Sequence, residues 1–210
     1  MSTKFTAVLL ISLCASMLAM PDANAYSEAD FQTAFQSLRA GSGNEERAAK
    51  AFQNLLSTEP GQPLLMAYAG SATSRLAVTT IFPWKKMSYA EEGLAMIDKA
   101  LILAEKEPAQ LHGNTLQLLE IKLVAASTFL AVPEFMNRHA RGQKLLDDIL
   151  VHPQLSTADL GFRGEVWMRA ARLAQQQKRI DDAKKLAQEV IRNQAPQAEK
   201  AKQLLQDLSA

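Results

Sequence analysis

Cysteine is almost missing from this chain. The only one, Cys14, falls within the first twenty residues, so the rest can form no disulfide, no cysteine-ligated zinc site and no thiol nucleophile. Histidine is nearly as scarce. His112, His139 and His152 are the full set, and none has a second histidine or a carboxylate at helical metal-ligand spacing that rises above chance. H-E-x-x-H, G-x-S-x-G and G-x-x-x-x-G-K-[ST] do not occur. The expectation is no catalytic residue, no metal and no cofactor. An excess of either charge is also lacking, with 23 Lys and Arg against 22 Asp and Glu, so no global field points to nucleic acid or an anionic membrane. Sustained strand-like alternation is absent. The stretches nearest to a phosphate loop or serine elbow have better local explanations. GSGNEE at 41–46 reads as a helix–helix turn with Asn44 as N-cap, and AGSATS at 69–74 supplies small residues for close helix packing.

Long apolar runs are rare as well. The longest, Phe5 to Met20, follows Lys4 and runs into PDANA, the order of a secretory signal peptide with Ala23-Asn24-Ala25 as the small-x-small cleavage site. It is shorter than the roughly 20 residues that span a bilayer. Residues 1–25 are therefore expected to be a cleaved leader and 26–210 a single domain, exported, and periplasmic in a Gram-negative cell. Retention of the leader as an anchor is the alternative.

What the chain does have is helical punctuation. Four apolar stretches end at Pro60, Pro108, Pro153 and Pro196, which stand 43 to 48 residues apart. Proline cannot continue a helix interior, and recurrence at such a period marks stacked helical repeats. Ser27-x-x-Asp30, Ser88-x-x-Glu91 and Ser156-x-x-Asp159 read as N-terminal caps. Helices are expected near 28–39, 45–57, 64–78, 89–105, 115–131, 134–151, 158–176, 180–193 and 197–208. The fifth carries the uncharged run LVAASTFLAV and is expected to be the most enclosed. Glu165 with Arg169 and Asp181 with Lys185 read as solvated surface pairs. His112 and His152, beside turns, read as surface residues.

Two connections break the rule that turns are polar. TTIFPWKKM at 79–87 and TFLAVPEFM at 128–136 both combine apolar residues, a proline, an aromatic and a methionine, and cations follow each. In a stack of helix pairs both lie on one edge, in consecutive units. Phe82, Trp84, Lys85, Lys86, Met87, Phe135, Met136, Arg138, His139 and Arg141 would then form an aromatic, methionine-containing patch rimmed by cations. Such a patch suits a partner bringing an apolar anchor and an anion. The other reading has the two turns fold over each other and close the end of the core.

The fourth unit resembles the tetratricopeptide-repeat family in degenerate form. Trp167, Ala170, Ala171 and Ala174 have the spacing of that family's first helix, and Ala183 follows where its second-helix alanine stands. In the first unit Ala48-x3-Phe52 leads to Pro60, the second-helix half of the pattern. The middle units share only the helix–stop–helix outline, and every unit exceeds the family's 34 residues. The resemblance implies an all-α antiparallel helix-pair solenoid, of about four pairs with a C-terminal capping helix, that holds other proteins. The expected function is a non-catalytic adaptor or assembly factor of the cell envelope, docking another envelope protein or peptide through the turn edge. The alternative is a carrier of a lipid or small apolar ligand in an inter-helix cavity.

Overall fold

The computed structural model describes residues 26–209. The expected leader, residues 1–25, lies outside them. Among the described residues there are nine α-helices, packed mostly as sequential antiparallel pairs: α1 (Glu28–Ala40), α2 (Glu45–Thr58), α3 (Pro63–Thr79), α4 (Pro83–Ala104), α5 (Gln117–Phe129), α6 (His139–Leu150), α7 (Leu160–Gln176), α8 (Ile180–Arg192) and α9 (Ala198–Asp207). The four prolines each lie two to four residues beyond a helix end, after α2, α4, α6 and α8. A two-residue antiparallel hairpin, β1 (Leu111–His112) with β2 (Thr115–Leu116), turns through Gly113 at φ 57° between α4 and α5. Short 3-10 segments at Glu134–Met136 and Pro153–Thr157 fill the connections around α6.

Helix starts follow local chemistry. The Ser27 hydroxyl accepts from the Asp30 N–H at 3.1 Å and donates to the Asp30 carboxylate at 2.7 Å, a reciprocal cap at the head of α1. Asn44 holds the N-cap position of α2, but its side chain makes no capping bond. Two other expected starts are corrected. Ser88 and Glu91 lie inside α4, which begins at Pro83, because proline at the first helical position loses no needed donor and its φ is already helical. Ser156 belongs to the 3-10 segment, and Asp159 is the residue that precedes α7.

The helices bury three apolar clusters in series. The first gathers Phe31, Phe52, Leu64, Leu65, Ile97 and Phe129 from α1 to α5. The second joins Leu119, Leu146, Ile149 and Val166 across α5, α6 and α7. The third holds Ala171, Ala187, Val190, Ala201 and Leu204 of α7 to α9. Burying each large side chain contributes about 2–3 kcal/mol. The most enclosed helix is α3, not α5: every residue from Leu64 to Ser74 is buried. α3 meets α4 at Gly70 and Gly93, where a Cβ on Gly93 would fall 2.4 Å from the Gly70 carbonyl oxygen. The small residues of AGSATS are what permits this approach.

Candidate functional site

The odd-numbered helices turn side chains toward one cleft of about 780 Å³. α1 contributes Glu28, Gln32, Phe35 and Arg39, α3 adds Tyr68, Ser71 and Arg75, and α5 adds Glu120, Leu123, Val124 and Ser127. α7 supplies Phe162, Glu165, Met168, Arg169 and Arg172, and Lys200 of α9 closes one end. Apolar groups make much of the floor, and charges line the walls.

At one end the hairpin folds back over α1. His112 packs edge-on against Phe31, ring centroids 4.8 Å apart. Its Nδ1 lies 2.8 Å from a Glu120 carboxylate oxygen and its Nε2 3.2 Å from Glu28, and the Tyr68 hydroxyl donates to the other Glu120 oxygen at 2.6 Å. The hydrogen bond to Glu120, aided by both carboxylate charges and opposed by burial, raises the His112 pKa to about 9. Burial, then the Glu120 charge, pushes the Tyr68 phenol well above its usual range. The chain Tyr68–Glu120–His112–Glu28 ties α1, α3, α5 and the hairpin together. His112 is thus a half-buried cation and not the surface residue expected from its place beside a turn.

The far walls carry the remaining charge. Arg75 donates to the Leu38 carbonyl at 2.7 Å, and burial followed by the Arg169 guanidinium lowers its pKa from the ordinary value. Arg169 bonds Glu165 at 3.1 Å. That pair was expected on an ordinary solvated face; here it lines the cleft. With His112 protonated, Arg39, Arg75, Arg169, Arg172 and Lys200 complete six cations, against the carboxylates of Glu28, Glu120, Asp159 and Glu165. Arg39, Arg172 and Lys200 form no ion pair among the described residues. Among those residues, too, no cluster of three His, Cys, Asp or Glu is placed to hold a metal. The arrangement suits an extended, net anionic ligand with apolar side chains.

The residues expected at the turn edge lie elsewhere, behind the cleft. Met87, Phe135, Met136 and Arg138 come together around a shallow groove of about 330 Å³ with Glu91, Leu94 and Asp98. The two connections are thus neighbours. Arg138 pairs with Asp98 at 3.0 Å, Arg141 takes the other oxygen of the same carboxylate, and both guanidiniums lie over the Phe129 ring. His139 meets the Val132 carbonyl at 2.7 Å. Val132 and Met136 pack on the first core. Ile81, Phe82, Trp84 and Phe135 remain exposed. Phe82 and Trp84 rest on each other at 5.1 Å, with the Lys85 ammonium 5.3 Å from the Phe82 ring centre. Lys85 and Lys86 form no ion pair among the described residues.

No family model, curated protein or solved structure matches the chain. Among the described residues no helix is long and apolar enough to cross a membrane.

Proposed function

We propose that this is a non-catalytic docking protein, a degenerate tetratricopeptide-like solenoid whose inner groove holds an extended, net anionic segment of another protein. The observation that carries the reading is the single cleft shared by α1, α3, α5, α7 and α9. In a helix-pair solenoid the first helix of each pair lines the inner surface, so successive pairs present one continuous groove. Arg39, Arg172 and Lys200, without an ion pair among the described residues, above a floor of Phe35, Leu123, Val124 and Met168, supply both halves of peptide recognition. His112 has a carboxylate on each ring nitrogen, a structural tie and not a poised base. The leader pattern of residues 1–25 supports an exported protein, whose partner would be another envelope protein.

A photo-crosslinking amino acid at Val124, on the groove floor, is expected to trap a partner in cells, while one at the exposed Lys50 of α2 traps none. Arg39→Glu with Arg172→Glu should reduce the Val124 adduct about tenfold or more. Equal adducts at both positions, or an adduct indifferent to charge reversal, would remove the groove from the function.

A further inference from the structure

Exposed large apolar side chains are scattered singly on most proteins, but here they crowd one tip. Val78, Ile81, Phe82, Trp84 and Met87 all fall in the ten residues that end α3 and begin α4. Ile81 is 82% exposed and Trp84 68%, and Phe135, 67% exposed, comes from the adjoining connection. This tip lies outside the cleft and plays no part in it.

The charges beside the tip are unequal in availability, and one is acidic: Glu134, next to Phe135, is exposed and, among the described residues, meets only His139, at 4.0 Å. Arg138 and Arg141 already share Asp98 and cover Phe129, so they are spent inside the fold. Lys85 and Lys86 are exposed and, among the described residues, form no ion pair. The charge nearest the exposed indole is therefore positive, with Lys85 and Lys86 within two residues of Trp84. A folded protein partner would have to offer a matching cavity for this projecting surface. A lipid headgroup layer needs no such cavity. Indole and aliphatic groups settle at the boundary between headgroups and hydrocarbon, while lysines extend to the phosphates.

We propose that this tip docks on an anionic phospholipid surface, with Ile81 and Trp84 entering at headgroup depth and Lys85 and Lys86 on lipid phosphates. Two weak signals, one apolar and one electrostatic, combine into reversible binding. The proposal is independent of what occupies the inner groove.

The test uses the purified Trp167→Phe chain, which leaves Trp84 as the only indole beyond the leader. It is titrated with vesicles of phosphatidylcholine, alone or mixed with phosphatidylglycerol. Indole emission should shift to the blue and be quenched by brominated acyl chains on the mixed vesicles only. In a sedimentation assay, Trp84→Ser should weaken binding about tenfold and Lys85→Ala or Lys86→Ala about fivefold each. Arg172→Ala, in the groove, should bind as the parent does. Circular dichroism identical to the parent establishes that each variant is folded. Absence of binding, equal binding by the tip variants, or equal binding to uncharged vesicles would each overturn the proposal. So would a protein captured through Trp84 by a chain that ignores vesicles.

Discussion

His112 sits in an environment far from its ordinary one. Its folded pKa of about 9 lies above the ordinary 6.5, so the protonated form is stabilised by folding. That contribution is complete below about pH 6.5 and is lost as pH rises through about 9. The melting temperature should fall between those values, by an amount corresponding to about 2–3 kcal/mol once solvent screening of this half-buried group is allowed for, and His112→Ala should flatten that part of the profile. A parent and variant with parallel slopes would show that His112 does not carry the effect. Tyr68→Phe, which removes only the hydroxyl that Glu120 accepts from, should cost about 1–2 kcal/mol. None of this network was legible in the sequence. Glu28 and His112 are 84 positions apart, and nothing local says that the hairpin folds back to lay His112 on Phe31. The one available signal was Glu120, a carboxylate in the first turn of a mostly apolar helix.

Helices as units were read from the chain with little error, and where a boundary moved the reason is specific. Apolar spacing and the four prolines gave the ends, since those depend on groups within a turn or two. The start of α4 differs because the sequence reads as a connection through residue 87, whereas Pro83 at the first helical position opens the helix. The contact between α3 and α4 yields the sharpest prediction on this scale. Gly93→Ala would set a methyl group 2.4 Å from the Gly70 carbonyl oxygen and 2.7 Å from the Ser74 nitrogen. Backbone cannot swing aside as a side chain can, so the variant should lose about 3 kcal/mol or more in denaturant titrations. Gly61→Ala meets nothing within 4 Å and should be nearly neutral. Equal midpoints for the two variants would mean that the helices separate easily.

For the molecule as a whole, three cores in series predict uneven stability. Val190→Ala, in the third cluster, should cost about 2 kcal/mol and raise amide exchange in α8 and α9, leaving α3 as protected as before. Uniform loss of protection would instead indicate one cooperative block. The sequence made the pairwise order of helices readable but not the cleft. Arg39, Arg75, Arg169 and Arg172 lie on three helices, and each looks like an ordinary surface arginine until the stacking turns the three toward one another. The seam between α6 and α7, which the second core bridges, has a consequence for how the protein would live with its partner. The cleft's walls belong to different cores, α1 and α3 on one side of that seam and α7 on the other. A chain lying along it would act as a splint across the seam. Resistance to limited proteolysis could then serve as a gauge of occupancy.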